Sequence, residues 1–109
     1  MAVKRVAQVI GVDHASIEEY ERLHAQVWPE VLARLSASNV QNYSIYRHGD
    51  VLFSYFEYTG EDYEADMAAI AADPNTQRWW DVCMPLQRPY PDRADGQWWS
   101  TMPEVFHLD

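Results

Sequence analysis

Two strand-like runs lie only three residues apart in the sequence, and this spacing constrains the fold more than any other feature. Residues 40–47 and 51–58 are rich in β-branched and aromatic side chains, as strands are. The turn between them, His48-Gly49-Asp50, contains a glycine that lets the chain reverse tightly. Two strands joined in this way run antiparallel, so we predict a β-hairpin.

The segment before the hairpin predicts a strand followed by one long helix. Residues 3–12 alternate between two faces, which is typical of a strand. Apolar residues three or four apart then predict a helix over residues 17–37, with a kink just before Pro29 because proline removes one helical hydrogen bond. Ser16 and Glu19 have the spacing of a capping box at the start of that helix.

The segment after the hairpin predicts a second, interrupted helical region and a last strand. Helical residues follow Gly60, stop at Asp-Pro-Asn in residues 73–75 and resume over residues 76–84. Four prolines make most of residues 85–103 an irregular loop. We expect the final strand over residues 104–108.

The resulting order β-α-β-β-α-β predicts an α+β fold of the ferredoxin-like kind. Two helices would cover one face of a four-stranded antiparallel sheet. At 109 residues the chain is expected to form a single domain over residues 1–109. The other face of such a sheet has no helix on it, so we expect a homodimer that covers it, giving a dimeric α/β barrel.

Charge and composition argue against several classes of partner. Eight basic and 17 acidic side chains give a net charge of −9, which repels nucleic acid and anionic membrane surfaces. The sequence has no apolar run of transmembrane length and no recognisable signal peptide. A single cysteine, Cys83, allows no internal disulfide. We therefore expect a cytoplasmic protein with no nucleic acid or membrane partner.

Motifs for metals, nucleotides and covalent catalysis are missing from the sequence. Four scattered glycines do not form a phosphate-binding loop, and the four histidines lack the spacing of a metal site. The sequence also has no nucleophile elbow around a serine or cysteine. These absences favour chemistry without a cofactor or metal, or binding alone.

His24 is the residue with the clearest chemical potential. The helical period places it on the same inward stripe as Tyr20 and Trp28. A histidine there is either a core residue with a hydrogen-bond partner or a general acid or base that titrates near neutral pH. The pattern alone leaves both interpretations open.

Two pairs of adjacent tryptophans suggest either a ligand surface or a subunit contact. Trp79 and Trp80 follow Arg78, and aromatic planes of this kind pack on the apolar C–H faces of sugars or on another subunit. Trp98 and Trp99 lie in the proline-rich loop, where a lid or a subunit contact is expected.

Several segments together resemble the L-rhamnose mutarotase family. Glu19-Tyr20, His24 and Trp28-Pro29-Glu30 match its EYxxxHxxxWPE signature. Further matches occur in order along nearly the whole chain, at Asn42-Tyr43-Ser44-Ile45-Tyr46, Arg78-Trp79-Trp80 and Glu104-Val105-Phe106-His107. The family is known as a ferredoxin-like dimer without a cofactor, which agrees with the predicted order of elements.

The resemblance implies an isomerase that interconverts the α and β anomers of a monosaccharide, and it implies roles for five residues. His24 would be the proton donor, Tyr20 and Tyr43 would contact the sugar, and Trp79 and Trp80 would lie against it. The stretch over residues 85–103 departs from the rhamnose pattern. Its Gly96-Gln97-Trp98-Trp99 element and the ending over residues 105–109 look more like relatives associated with L-fucose. Either 6-deoxy-L-hexose is therefore a candidate substrate.

Two other functions fit the same predicted fold. One is a cofactor-free monooxygenase or haem-degrading enzyme, which would consume oxygen with a quinol or shift a haem spectrum. The other is a sugar-binding or regulatory dimer without catalysis, since a fold does not specify a function. Saturable sugar binding without faster anomer exchange would identify the latter.

Overall fold

A single antiparallel sheet and four α-helices make up the computed structural model, which describes residues 3–109. Short 3-10 turns at His14–Ser16 and Met84–Leu86 precede α1 and β4. The elements in chain order are β1 (Lys4–Val12), α1 (Ile17–His24), α2 (Pro29–Ala37), β2 (Val40–His48), β3 (Val51–Tyr58), α3 (Tyr63–Ala72), α4 (Pro74–Cys83), β4 (Gln87–Arg88) and β5 (Ser100–Met102). None of the helices described has the length and apolarity that crossing a bilayer requires.

The sheet confirms the ferredoxin-like α+β fold, with one change at its edge. Its order is β2-β3-β1, and the free edge of β1 is shared by β4 and β5 instead of being lined by one long strand. All pairings are antiparallel, and β2 and β3 form the predicted hairpin. Gly11 lets β4 approach, because a Cβ there would lie 2.7 Å from the Arg88 carbonyl oxygen.

The strands bury one face under the helices and leave aromatic residues on the other. Ile10 of β1 pairs with Leu52 of β3, and both side chains are buried with Tyr20 of α1. On the opposite face, Phe53 is 39% exposed and its cross-strand neighbour Tyr46 is 69% exposed. The pleat accounts for this division, since successive side chains point to opposite faces.

The predicted long helix is wrong in one respect: it is two helices and not one kinked helix. α1 ends at His24, and α2 begins at Pro29, which occupies its first turn. Trp28 has a ψ angle of 134°, because a residue before proline is held out of the helical conformation. The apolar stripe is nevertheless continuous across the break, with Tyr20 and Val31 both buried.

The predicted capping box is also wrong. Ser16 Oγ donates to Asp13 Oδ2 at 3.0 Å and makes no bond to a free amide of α1. Glu19 accepts from the Arg22 guanidinium instead, at 2.9 Å. A side-chain cap does form on α4, where the Asp73 carboxylate accepts from the Thr76 amide at 2.9 Å.

The predicted last strand lies four residues too late in the chain. β5 covers Ser100–Met102 and pairs with β1, whereas residues 104–108 take no strand conformation. Pro103 has no amide hydrogen, so the ladder ends just before it. Beyond it, Val105, Phe106 and Leu108 have exposed side chains.

Candidate active site

α1 brings Tyr20 and His24 into direct contact. The two residues are one helical turn apart, and their rings stack with centroids 4.0 Å apart and planes at 20°. The Arg47 guanidinium of β2 holds Glu21 of the same helix at 2.5 Å, which ties α1 to the sheet. Tyr20 packs between α1 and the sheet, against Ile10 and Leu52.

The hydrogen bonding of His24 assigns different roles to its two ring nitrogens. Nδ1 lies 2.9 Å from the backbone carbonyl oxygen of Tyr20, so it carries a proton and donates it. In the neutral ring Nε2 then bears the lone pair. No carboxylate is hydrogen-bonded to the ring among residues 3–109. The imidazole thus presents one basic nitrogen whose tautomer is set by its own helix.

Burial sets the protonation states of this pair. Loss of solvent lowers the pKa of His24, and the hydrogen bond to the Tyr20 carbonyl offsets only part of that effect. The same loss raises the pKa of Tyr20, opposed in part by a hydrogen bond from Gln87. At neutral pH the site therefore holds a neutral imidazole and a protonated phenol.

α4 supplies the third ring of the site. The ring of Trp79 lies edge-on to that of His24, with centroids 5.2 Å apart and planes at 63°. It makes a similar edge contact with the ring of Trp28. Trp79 is only 6% exposed, while Trp80 is 37% exposed. The structure thus brings Tyr20, His24 and Trp79 together and turns Trp80 toward the surface, as neighbouring helical positions require.

A β-bulge in β2 determines where Tyr43 points. Between Gln41 and Ser44 this strand advances three residues while β3 advances two. Asn42 takes up the extra residue with a φ of 50°. As a result Tyr43 lies on the helix-covered side, where its ring is 5.4 Å from that of Phe56. Tyr43 is also near enough to Tyr20 to raise the pKa of that phenol slightly.

Gln87 is a site residue that the sequence pattern missed. Its side chain is buried, and its amide Nε2 donates to the Tyr20 hydroxyl at 3.3 Å. Its Oε1 accepts from Trp98 Nε1 at 2.8 Å. The expected irregular loop conceals this residue, and the only signal is an isolated polar side chain before Arg88-Pro89. Trp98 and Trp99 pack against the core cluster that contains Tyr20 in their own chain.

Ser54 is a second residue that the sequence analysis did not single out. It lies in β3 between Leu52 and Phe56, on the face that the helices cover. Its Oγ is buried and has no hydrogen-bond partner among residues 3–109. Its signal is a hydroxyl in the otherwise apolar alternation of Leu52, Phe56 and Tyr58.

Other reactive groups are poorly placed for chemistry. Burial raises the pKa of the Cys83 thiol to about 12, which leaves no thiolate nucleophile at neutral pH. Within residues 3–109, His, Cys, Asp and Glu side chains form no cluster of three that suits a metal ion. The arrangement supports proton transfer by a neutral imidazole beside aromatic surfaces.

Sequence comparisons with known proteins identify one family. A family model described as L-rhamnose mutarotase matches residues 5–108. The chain is 41% identical to the L-rhamnose mutarotase of Opitutus terrae, with 96% of this chain and 98% of that protein covered. It is 35% identical to the L-fucose mutarotase of Xanthomonas campestris, with 99% of this chain and 90% of that protein covered.

A solved structure shares the fold. The crystal structure of an L-rhamnose mutarotase from Formosa agariphila matches with a TM-score of 0.77 at 23% identity. The match covers 97% of this chain and 99% of that one. At this identity the match supports the architecture of the sheet and helices.

Proposed function

The chain belongs to the L-rhamnose mutarotase family, and from that premise we propose that it is an aldose mutarotase acting on a 6-deoxy-L-hexose, L-rhamnose or L-fucose. Such an enzyme is an isomerase that interconverts the α and β anomers. The observation that carries the proposal is the His24 ring, whose Nδ1 is tied to a backbone carbonyl and whose Nε2 is free for the substrate. Ring opening and closing need proton transfer and no electron transfer.

We propose that His24 moves the proton of the anomeric hydroxyl. In ring opening, neutral Nε2 takes this proton, the carbonyl C1=O1 forms, and the bond from C1 to the ring oxygen breaks. The ring oxygen takes up a proton from water or a neighbouring phenol. After rotation about C1–C2 the ring oxygen attacks the other face of C1 and returns its proton to the water or phenol that supplied it, while His24 acts as proton donor to O1. General acid–base catalysis of this kind contributes roughly 10²- to 10⁴-fold.

The aromatic residues around His24 suit a sugar. Tyr20 and Tyr43 carry phenols on the helix-covered side, where they can hydrogen-bond to sugar hydroxyls. Trp79 and Trp80 offer apolar surface for the C–H face of the ring, Trp79 from within and Trp80 from the rim. We propose all four as substrate contacts.

Anomer exchange measured by saturation-transfer NMR tests this function. Purified protein added to equilibrated L-rhamnose and, separately, L-fucose is expected to raise the exchange rate of at least one sugar, and the faster sugar is the preferred one. Bovine albumin at the same concentration controls for nonspecific effects. If neither sugar exchanges faster, the proposed function is wrong.

The pH profile of the catalysed rate shows whether His24 is neutral or protonated at the start of the reaction. Burial lowers its pKa below the usual value near 6.5, so the neutral ring predominates at pH 7. We expect the rate to rise with pH through this lowered pKa and to be level above it. A rate that instead falls between about pH 5 and pH 8 would show that the imidazolium is the reactive form.

We further propose that the protein is a homodimer joined through the sheet face that the helices leave bare. Tyr46, Phe53 and Val9 lie side by side across β2, β3 and β1 and form an apolar row on this face. A second copy carries the same row, so a two-fold axis would pack like on like. Isolated sheet faces of this kind are normally covered.

Light scattering tests the dimer. At micromolar concentration we expect a mass of twice 12.7 kDa. Phe53→Lys is expected to shift the protein toward the monomer, while Leu32→Lys, on the outer surface of α2, leaves the mass unchanged. A wild-type mass of one chain contradicts the proposal.

A further inference from the structure

Gln87 connects the proline-rich loop to the candidate active site. Trp98 lies in that loop, 11 residues along the chain, and its indole Nε1 is 2.8 Å from Gln87 Oε1. Gln87 Nε2 is in turn 3.3 Å from the hydroxyl of Tyr20 in α1. Gln87 and Tyr20 are both buried, so the bond between them is shielded from water.

The chemistry of the indole determines which group donates in both hydrogen bonds, the one between Trp98 and Gln87 and the one between Gln87 and Tyr20. An indole N–H is only a donor, so the atom of Gln87 that faces Trp98 must be the amide oxygen. The amide NH₂ therefore faces Tyr20 and donates to its phenolic oxygen. Because this donation occupies one side of that oxygen, the phenol's own proton points away from Gln87.

Within residues 3–109 the Tyr20 hydroxyl accepts a hydrogen bond from Gln87 and donates none. Burial raises the pKa of Tyr20, so the proton stays on the oxygen near neutral pH. Buried donors in folded proteins are almost always satisfied. The Tyr20 hydroxyl is buried and its proton has a fixed direction, and the ring that carries it stacks on His24. We therefore expect an oxygen of the ligand to accept this proton.

We propose that Gln87, held by Trp98, is a positioning residue that directs the hydroxyl proton of Tyr20 toward an oxygen of the bound sugar. This inference rests on the proposed function. Gln87 acts through Tyr20, and the loop contributes to sugar recognition through Trp98. The hydrogen bond from Tyr20 to the sugar would hold the substrate equally before and during the reaction. Its loss therefore raises KM and leaves kcat nearly unchanged.

A double-mutant cycle tests the proposal. Tyr20→Phe removes the hydroxyl, and Gln87→Met removes the amide at nearly constant volume. Each single change is expected to raise KM by roughly 3- to 10-fold, the effect of one lost hydrogen bond. The double variant is expected to have the KM of Tyr20→Phe alone, since without the hydroxyl Gln87 has nothing to direct.

A matched control and a second variant separate positioning from packing. Gln77→Met, the same change on the exposed face of α4, is expected to leave KM unchanged. Trp98→Phe removes the indole donor, leaves Gln87 free to turn over, and is expected to raise KM only when Tyr20 is present. Urea midpoints measured on all variants identify any that fail to fold.

Two results overturn this inference while leaving the proposed function intact. One is an active wild type in which the effects of Tyr20→Phe and Gln87→Met on KM multiply. The other is Gln87→Met or Trp98→Phe proteins that are folded and have wild-type KM. A wild-type protein that accelerates neither sugar overturns the proposed function itself, and with it this inference.

Discussion

Replacing His24 with alanine is expected to lower the catalysed rate of anomer exchange by about 10²- to 10⁴-fold, the contribution typical of a positioned acid or base. The physical reason is that Nε2 is the site's basic nitrogen, oriented by the bond from Nδ1 to the Tyr20 carbonyl oxygen. Saturation-transfer NMR on the variant measures the loss directly.

The His24→Ala variant is expected to remain folded. The ring is only half-buried at the end of α1, and alanine is a good helix former. His48→Ala, at the exposed end of β2, is the matched control and is expected to retain the wild-type rate. A folded His24→Ala protein that equilibrates anomers at the wild-type rate would show that the proton is moved by another group.

Trp79→Ala is expected to destabilise the protein by about 3–5 kcal/mol, the cost of truncating a large buried aromatic residue. Trp79 forms a buried cluster with Val31 of α2 and Cys83 of α4, and its ring contacts both His24 and Trp28. A loss of this size is a large share of the stability of a small domain. Urea unfolding followed by circular dichroism measures it.

The neighbouring residue provides the contrast. Trp80 is more exposed, so we expect Trp80→Ala to change the free energy of unfolding by no more than about 1 kcal/mol while raising the KM for the sugar. The opposite pattern, a stable Trp79→Ala protein and an unfolded Trp80→Ala protein, would mean that the two side chains have exchanged roles relative to this structure.

The elements that the sequence predicted well are those whose signals are local. The alternation of side chains between two faces predicts β1 and β3, and Gly49 predicts the turn of the hairpin. These signals come from neighbouring residues, and the structure has all three elements where expected. The helix boundaries were less accurate, because the stripe continues across the break before Pro29. The last strand was misplaced because pairing with β1 depends on which segment can reach it.

The candidate site likewise combines contacts that the local sequence predicts with contacts that depend on tertiary packing. Tyr20 and His24 are four residues apart on one helix, so their contact follows from helical geometry. The contact of Trp79 with His24 depends on how α4 packs, so no local sequence pattern predicts it. Gln87 is 67 residues from Tyr20, and its role depends on a tertiary hydrogen bond that periodicity cannot show.

The division of the first helical region into two short helices affects how the proposed catalytic group becomes oriented during folding. α1 has eight residues and α2 has nine, and helices of this length are marginal in water on their own. The stacking of His24 on Tyr20 and the bond to the carbonyl both require a formed last turn of α1. We therefore expect the imidazole to acquire its orientation only when α1 docks on the sheet, so that under the proposed mechanism catalytic competence and cooperative folding arise together.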